Sequence, residues 1–412
     1  MMAGKRIFFF NRFFWPDQSA TAQILTDLCR DLDARGYRIT VVSSRLDYSN
    51  KTIQYRHRES LGGVKVVRLW STRFGRGTLA GRLLDYLTIY YSFFAYILRN
   101  LGPDDIVVLK TDPPLLSILG ALGRMVKQFR LVSWCQDVFP EVAMVGMQES
   151  ILTDLIFQPL KLIRDWSLAA SDRIVVLGHD MWAYLAGRRL DPRRMACISN
   201  WSVQSDEPHT READLRRQWG IREDAFVVGY SGNLGRAHDW RTLLAVARRF
   251  RGDENVVFLF CGGGHGYDHL REAVGDESLS SQFVFLPYQP LEDLASSLRV
   301  PDVHWFTLKE AMTPFIYPSK FFGILQAGRA VVFVGDPESE IASIIRESAL
   351  GTTVREGDTN GFTEGLGKFR SDRILAEGAG RAARDLWEQR FRKTLEVDKW
   401  DRMLKQLREQ ID

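Results

Sequence analysis

The sequence predicts an α/β protein with two successive domains, each built on a doubly wound parallel sheet. Apolar runs of strand length alternate with helical stretches in the first half of the chain. Such alternation calls for a parallel sheet with helices on both faces. A polar, charged stretch over residues 204–217 interrupts the pattern, which then restarts. At 412 residues the chain also exceeds one typical core, so more than one domain is expected.

The first half begins with a buried strand at residues 7–10, four consecutive apolar residues followed by a turn at Pro16. A helix is expected over 19–35, because apolar residues recur at helical spacing and Gly36 stops it. The same patterns predict the elements that follow: strands at 39–43, 64–69, 106–109, 131–135 and 174–177, and helices at 79–100, 115–127 and 151–170.

In the second half the same reasoning predicts strands at 227–231, 256–261, 283–286, 303–306 and 330–334, with a helix at 238–250. Residues 376–411 read as one long charged helix with a kink near Phe391. The expected domains are therefore 1–203 and 204–388, with 389–412 as a helix that returns to the first domain.

The net charge of +4 conceals an asymmetry between the two halves. Residues 1–205 hold 27 Lys and Arg against 18 Asp and Glu, whereas the remainder holds 28 against 33. A basic first half favours an anionic partner there. The longest apolar stretch, 86–98, is shorter than the roughly 20 residues that a membrane span requires. The start of the chain leads straight into a strand, so no signal peptide and a cytoplasmic location are expected.

Three turns in the second half have the composition of an anion site. The first holds Gly232 and Gly235 after a strand, with Arg236 and His238 as nearby donors. Glycines let main-chain N–H groups approach a phosphate, and a helix N-terminus adds favourable dipole charge. The alternative is an ordinary tight turn with a surface arginine.

The second turn, around Gly263 and Gly264, has four glycines in five residues but no GxGxxG pattern. In the third, Ser319 and Lys320 open an apolar helix and offer free N–H groups and an ammonium. Lys320 could equally extend from a packed helix. All three turns follow the carboxyl ends of predicted strands of one sheet, where such folds bind ligands.

Five motifs spread over nearly the whole chain carry a family resemblance. They are Phe14-Trp15-Pro16-Asp17, Gln136-Asp137-Val138-Phe139-Pro140-Glu141, Ser199-Asn200-Trp201-Ser202, Tyr230-Ser231-Gly232-Asn233-Leu234-Gly235 and Pro318-Ser319-Lys320. Together they resemble the family 4 retaining glycosyltransferases of bacterial polysaccharide and O-antigen assembly, especially the colanic-acid-type exopolysaccharide subgroup. The resemblance implies the GT-B fold, in which two Rossmann-like domains face each other across a cleft.

It also implies that the second domain binds a UDP- or GDP-linked sugar and that the first binds the acceptor. No metal ion and no cofactor beyond the nucleotide sugar is implied, so dipoles and basic side chains must neutralise the leaving diphosphate. The donor contacts assigned in this way are Ser19, Gly232, Asn233, Leu234, Arg236, Gly263, Gly264, Tyr288, Ser319 and Lys320.

The sequence departs from the family pattern at several positions. A pair of glutamates common in the family falls on Phe315 and Gly323, and the basic residues of the glycine loop fall near Asn233 and His238. Ser19-Ala20 replaces the usual glycine pair in the first loop. Arg236 and Lys320 remain as the available cations of the second domain.

The expected acceptor side centres on Asp137, which follows a strand of the first sheet. Asp137 is the candidate for activating the acceptor hydroxyl or stabilising positive charge on the sugar, with Glu141 as its neighbour. Asp137 as a turn or cap residue is the alternative, and Asp17 is a weaker catalytic candidate.

The segment 65–82 carries five cations and no acidic residue. Its basic and aromatic residues suit the surface of an anionic membrane, with a polyprenyl-diphosphate-linked acceptor at the inner face of the plasma membrane. The residues assigned to this surface are Arg68, Trp70, Arg73, Phe74 and Arg76. Nothing else in the chain supports a nucleic-acid partner.

Two other functions remain open at this point. A sugar-nucleotide 2-epimerase shares the fold but would be expected to gather His and Glu residues in its cleft, whereas the seven histidines here are scattered. The missing glutamates would also fit a catalytically silent partner that only binds nucleotide sugars.

Overall fold

The structure is a computed structural model that describes residues 6–409 except Gln18, 49–51, 76–77, Gly146, 148–150 and 204–209. The strands are β1 (Arg6–Phe10), β2 (Arg38–Ser44), β3 (Arg58–Leu61), β4 (Val64–Leu69), β5 (Ile106–Lys110), β6 (Arg130–Trp134), β7 (Arg173–Val176), β8 (Met195–Cys197), β9 (Phe226–Asn233), β10 (Val256–Gly263), β11 (Phe283–Leu286), β12 (Val303–Thr307), β13 (Ala330–Val334) and β14 (Gly351–Val354).

The helices are α1 (Ala20–Ala34), α2 (Leu79–Asn100), α3 (Ser117–Lys127), α4 (Glu141–Met144), α5 (Ile151–Ala169), α6 (His179–Gly187), α7 (Glu212–Gln218), α8 (Arg241–Arg249), α9 (His265–Asp276), α10 (Leu291–Ser297), α11 (Lys320–Ala327), α12 (Glu340–Glu347), α13 (Thr359–Ser371), α14 (Arg373–Leu386) and α15 (Lys393–Glu409). The chain divides into two compact units. Unit 1 comprises Met1–Ser199, Phe315–Tyr317 and Thr394–Asp412, and unit 2 comprises Asn200–Pro314 and Pro318–Lys393.

Unit 1 holds a sheet in the order β3-β4-β2-β1-β5-β6-β7-β8, parallel except for the β3–β4 pair. Side chains alternate across it, as the two-residue period of a strand requires. Phe8 and Phe10 belong to one core together with Ile89, Phe93 and Ile97 of α2. The opposite face of the sheet packs against a different helix.

The other face of this sheet packs against α15. The ring centroid of Trp400 lies 6.4 Å from that of Phe9 and 4.7 Å from that of Trp134. The Tyr37 hydroxyl donates to Asp401 at 2.5 Å, and the Ser199 amide donates to the buried carboxylate of Glu396 at 2.9 Å. The last helix is therefore part of the core of unit 1.

Unit 2 holds an all-parallel sheet in the order β11-β10-β9-β12-β13-β14. Its core is aromatic at the centre, where the Tyr230 ring lies 5.6 Å from that of Phe260 and 5.0 Å from that of Trp305. Helices supply the surrounding apolar residues, among them Leu243 of α8 and Phe362 of α13. The prediction of two doubly wound α/β sheets is confirmed.

The sequence patterns missed the short strands β3, β8 and β14 and the helices α4, α6, α12 and α13. They also placed the first helix of the second half too early, since α8 begins at Arg241. The predicted kink in the tail is confirmed, because α14 ends at Leu386 and a wide turn over Trp387–Phe391 separates it from α15.

Candidate active site

The strands β9 and β10 of unit 2 end side by side in glycines. In the parallel register Gly232 pairs with Gly262 and Asn233 pairs with Gly263. Gly232 and Gly262 have φ angles of 113° and 150°. A Cβ on Gly262 would lie 2.1 Å from the carbonyl oxygen of Gly232. Only glycine fits so close an approach, so main-chain groups form this edge of the sheet.

The helix α9 begins directly after this edge. Gly264, with φ of 112°, is its N-cap residue, and a Cβ there would lie 2.1 Å from Asn233 Oδ1. The Leu234 amide donates to the Gly263 carbonyl at 2.8 Å. A Cβ on Gly263 would lie 3.2 Å from Cε2 of Tyr288. With Gly232 at the same edge, the structure therefore brings together six of the assigned donor residues.

The prediction that a helix N-terminus directly follows the Gly232-to-Arg236 turn is wrong. The helix α8 starts only at Arg241, and its N-cap residue Trp240 makes no side-chain cap. The Asp239 carboxylate accepts the Arg241 amide at 3.0 Å and the Thr242 amide at 3.3 Å. A carboxylate in that position satisfies the free N–H groups and repels an anion. Arg236 lies exposed in the connecting loop.

Lys320, the first residue of α11, reaches the same edge of the sheet. Its Nζ lies 5.4 Å from the Tyr230 ring centroid, and its Cε would lie 3.2 Å from a Cβ on Gly232. The neighbouring Ser319 is the N-cap residue of α11 and makes no side-chain cap. We refer to Lys320, His238, Tyr230 and Gly232 as the Lys320 cluster.

The hydrogen bonds of His238 fix the direction of its contact with Lys320. The Thr307 carbonyl oxygen, 2.5 Å from Nδ1, can only accept, so Nδ1 carries the proton. Burial, together with the charge of Lys320, lowers the pKa of His238 to about 3, and the ring is neutral at pH 7. Its Nε2 therefore accepts a hydrogen bond from Lys320 Nζ at 3.1 Å.

This arrangement leaves a positive charge without a negative partner. Burial lowers the pKa of Lys320 to about 8, so the side chain is still mostly protonated at pH 7. Among the residues that the structure describes, no Asp or Glu forms an ion pair with it. A desolvated ammonium beside main-chain amides is the arrangement that an oxyanion or a diphosphate stabilises.

Asp137 of unit 1 lies just beyond β6 and pairs with Ile316 in an isolated antiparallel bridge. The next amide, of Val138, donates to the Phe315 carbonyl at 2.9 Å. Burial raises the pKa of Asp137 to about 6, although a hydrogen bond with Thr111 opposes the shift. Its Oδ1 is buried with no hydrogen-bond partner among the described atoms. An unsatisfied carboxylate oxygen with a raised pKa has the properties of a general base.

Asp137 borders a cavity at the carboxyl ends of β5 and β6. The cavity is lined by Leu109, Lys110, Thr111, Leu115, Leu116, Ser117, Ser133, Trp134, Cys135, Asp137, Val138, Phe139, Arg164, Leu168 and Leu185. Lys110 was not predicted as a site residue. Its Nζ donates to the Thr21 carbonyl at 2.9 Å, and burial lowers its pKa to about 7. The sequence signal for Lys110 was its position at the end of a strand whose other four residues are apolar.

Glu141, the second catalytic candidate, is engaged in a buried ion pair. Arg164 donates to it through Nη1 at 2.8 Å and Nη2 at 2.9 Å, and the Tyr184 hydroxyl donates at 2.5 Å. Burial would raise the pKa of Glu141, but these donors outweigh it and lower the pKa. A carboxylate held in this way anchors α5 and α6 and is a poor base.

Ser19 and Asp17 organise the first loop of unit 1. The Asp17 carboxylate accepts the Ser19 amide at 2.9 Å and the Tyr48 amide at 2.7 Å. Ser19 precedes α1 as its N-cap residue, and its Oγ is buried without a hydrogen-bond partner in the described part of the chain. Asp17 is thus committed to two main-chain donors.

The expectation that Arg68 faces a membrane is wrong. Its side chain is buried, with the residue 0% exposed, and it pairs with Glu59 of the adjacent strand β3 at 3.0 Å. It also donates to the Trp15 carbonyl. Trp70, Arg73 and Phe74 are exposed as expected. Arg76 lies outside the described residues.

The two positions that lack the family's glutamates serve packing. The Phe315 ring lies edge-on to Tyr184 at 4.9 Å in unit 1. Gly323 lies within α11 of unit 2, where a Cβ would be 3.3 Å from Cδ1 of Leu298. Across the described residues, no cluster of three or more His, Cys, Asp or Glu side chains is arranged to hold a metal ion.

Comparison with known proteins finds a family match for part of the chain. The model of the family described as "Glycosyl transferase 4-like domain" matches residues 19–201. This match covers less than half of the chain. The resemblance drawn from the motifs is confirmed at this level.

The probable glycosyltransferase WbjE of Pseudomonas aeruginosa is 28% identical over 290 residues, which cover 68% of this chain and 69% of the relative. The putative colanic acid biosynthesis glycosyl transferase WcaI of Escherichia coli K12 is 28% identical over 42% of this chain and 43% of its own length. The structure of Anabaena HepE in complex with UDP-glucose has a TM-score of 0.71 at 14% identity and covers 97% of this chain and 99% of that one. The predicted GT-B fold is confirmed.

Proposed function

We propose that this chain transfers a sugar from a UDP- or GDP-linked donor to a lipid-linked glycan during assembly of a bacterial surface polysaccharide. The names of WbjE and WcaI, as glycosyltransferases, support the reaction class, and colanic acid biosynthesis in the name of WcaI supports the pathway class. The HepE complex with UDP-glucose supports a nucleotide-sugar donor.

The observation that carries the proposal is the unpaired ammonium of the Lys320 cluster. Lys320 points to the glycine edge formed by β9 and β10, where the N-terminus of α9 also lies. A diphosphate bound there gains the ammonium and main-chain N–H donors together. His238 holds Lys320 by accepting its hydrogen bond and carries no charge of its own.

Asp137 is proposed to act on the acceptor. With a pKa of about 6 its carboxylate is mostly ionised at pH 7 and remains basic enough to accept a hydroxyl proton. The orphaned Oδ1 is free to take the hydrogen bond of an acceptor. The lipid carrier is proposed to be polyprenyl diphosphate, and the reaction to occur at the cytoplasmic face of the plasma membrane.

We further propose retention of configuration and independence from metal ions and cofactors, on the basis of the family resemblance. Metal independence is tested by transfer in the presence of a chelator, where full activity is expected. Product stereochemistry is read from the anomeric proton coupling of the transferred sugar.

The function is tested by product analysis after incubation with a panel of UDP- and GDP-sugars, with and without a polyprenyl-diphosphate-linked sugar. The proposal predicts acceptor-dependent release of nucleoside diphosphate and a heavier lipid-linked product. A nucleotide sugar epimerised without acceptor would instead establish the epimerase, and tight binding without any product would establish a silent partner.

A further inference from the structure

The outward side of three neighbouring helices in unit 1 is apolar where a soluble helix is ordinarily polar. Twelve aliphatic and aromatic side chains of α2, α3 and α5 are exposed there. We call this set the apolar face: Leu83, Leu84, Leu87, Tyr91, Leu122, Met125, Val126, Leu155, Ile156, Leu162, Ile163 and Trp166. Three of them are at least 70% exposed, namely Tyr91 at 71%, Met125 at 72% and Leu155 at 70%.

The three helices are in contact with one another in unit 1. A Cβ on Gly123 of α3 would lie 2.6 Å from Cγ2 of Ile97 in α2. The hydroxyls of Ser117 in α3 and Ser167 in α5 are 2.8 Å apart. Contiguous apolar patches on soluble monomers rarely exceed a few hundred Å², and twelve such side chains expose on the order of 1,000 Å².

The exposed aromatic residues of the segment before α2 extend this surface. The Trp70 carbonyl accepts the hydroxyl of Ser92 at 2.7 Å, and the Phe74 amide donates to Asp85 at 2.9 Å. Both contacts lay the segment along α2. Trp70 and Phe74 therefore adjoin the apolar face.

The charges of the three helices distinguish between occupants of this face. Arg82 and Arg99 are exposed, and Lys127 and Lys161 are partly exposed. The acidic side chains described in these helices form hydrogen bonds or ion pairs within unit 1. Asp85 accepts the amides of Phe74 and Gly75, and Asp165 pairs with Arg164 and Arg188. An apolar centre with cations, and with no exposed carboxylate among the side chains described in these helices, matches the interface of an anionic bilayer.

Within the described ranges, no helix combines the length and the apolar character needed to cross a bilayer. We propose that unit 1 rests its apolar face in the interfacial region of an anionic membrane, with α2, α3 and α5 lying on the surface. The proposal moves the membrane contact from the basic segment 65–82 to a helical face. The link between this face and a lipid-linked acceptor rests on the proposed function. The contact with the bilayer rests on the geometry of unit 1 alone.

The test is flotation with vesicles of phosphatidylcholine containing phosphatidylglycerol, using the whole chain. The double variant Leu87→Glu/Leu155→Glu places two carboxylates on α2 and α5. Its matched control is Ile374→Glu/Leu375→Glu, which makes the same exchange at two exposed residues of unit 2. The first variant should lose at least about tenfold in vesicle partitioning, because its carboxylates would have to enter the interface. The control should bind as the wild type does.

Salt gives an independent readout. Screening acts on the cations within a Debye length of about 8–10 Å but leaves apolar insertion in place. Wild-type binding should therefore weaken but persist as salt rises. Equal partitioning of the wild type and Leu87→Glu/Leu155→Glu would overturn the proposal. It would also be overturned if the wild type did not bind vesicles but formed a dimer, and if Leu87→Glu/Leu155→Glu dissociated that dimer.

Calorimetry with UDP on the same samples separates this proposal from the proposed function. Both double variants should bind UDP as the wild type does, which also shows that they fold. Vesicle binding without any nucleotide binding would refute the donor assignment and leave the membrane face standing. Nucleotide binding without vesicle binding would refute the membrane face and leave the donor assignment standing.

Discussion

Replacing Lys320 with Met removes the charge of the Lys320 cluster while keeping an apolar chain of similar length. A hydrogen bond to a charged group contributes about 1.5–3 kcal/mol, so the dissociation constant for UDP should rise by roughly 10- to 150-fold. The same change should not destabilise the unliganded protein. Burial lowers the pKa of Lys320 from 10.5 to about 8, which corresponds to a cost on the order of 3 kcal/mol for keeping it charged.

Removing that cost outweighs the loss of the hydrogen bond to His238, which is worth about 1 kcal/mol. The free energy of unfolding of Lys320→Met should therefore rise by about 1–2 kcal/mol while nucleotide affinity falls. Titration calorimetry and urea denaturation measure the two quantities. The matched control is Lys368→Met, at an exposed lysine of α13 in the same unit, which should change neither.

The pH dependence follows from the same shift. The ammonium is lost as pH rises through about 8, so wild-type affinity for UDP should fall above that pH and that of Lys320→Met should not. Between pH 8 and 10.5 the unfolded chain retains a proton that the folded chain has released, so the contribution of Lys320 to stability rises with pH. Unchanged UDP affinity in Lys320→Met, or a loss of affinity with equal loss of stability, would refute the reasoning.

Three further predictions concern the other groups of the candidate site. Asp137→Asn should lower turnover by about a hundredfold or more at constant UDP affinity, and wild-type turnover should fall as pH drops through about 6; steady-state kinetics with a soluble acceptor analogue checks both, and full turnover would exclude Asp137. Glu141→Gln removes one of the two carboxylates paired with the buried Arg164 and leaves only Asp165, so urea denaturation should show a loss of up to about 3–5 kcal/mol, and a stable variant that has lost only turnover would make Glu141 the catalytic carboxylate. Gly264→Ala forces a Cβ against Asn233 at positive φ, so calorimetry should show weakened UDP binding, whereas unchanged binding would remove this turn from the donor site.

The fold was predictable because long apolar strands and periodic helices leave a strong pattern. The elements that were missed are short or mixed in burial. In β3, Arg58 and Leu61 have no common apolar pattern and the residues alternate between exposed and half-buried. β8 has only three residues, all partly buried. Such segments are strands because a neighbouring strand pairs with them, and the sequence does not contain that information locally.

The error at Arg68 has the same origin. Five cations without a nearby acid looked uncompensated, because the strand that carries Glu59 was absent from the prediction. Antiparallel pairing of β3 with β4 brings Glu59 within 3.0 Å of the guanidinium. Arg68, which was predicted to lie at the surface, is therefore buried.

The glycines and Lys320 could be singled out from sequence because their chemistry is local. Their arrangement could not, since His238 and Lys320 are 82 residues apart and meet only after β9, β12 and α11 have packed. The role of Asp239 was missed, although the sequence carried a signal for it. Its side chain is the acceptor that starts α8, and an acidic residue at that point is a recognised start signal.

The central claim is that unit 2 holds the diphosphate of the donor at Lys320. Lysine acetylation under limiting reagent, mapped by mass spectrometry with and without UDP, tests it at the residue concerned. A pKa of about 8 gives Lys320 a reactive neutral fraction near pH 8, whereas a bound diphosphate would hold the ammonium charged and cover it. The account predicts strong protection of Lys320 by UDP and none of the exposed Lys368. Equal modification of Lys320 with and without saturating UDP would contradict it.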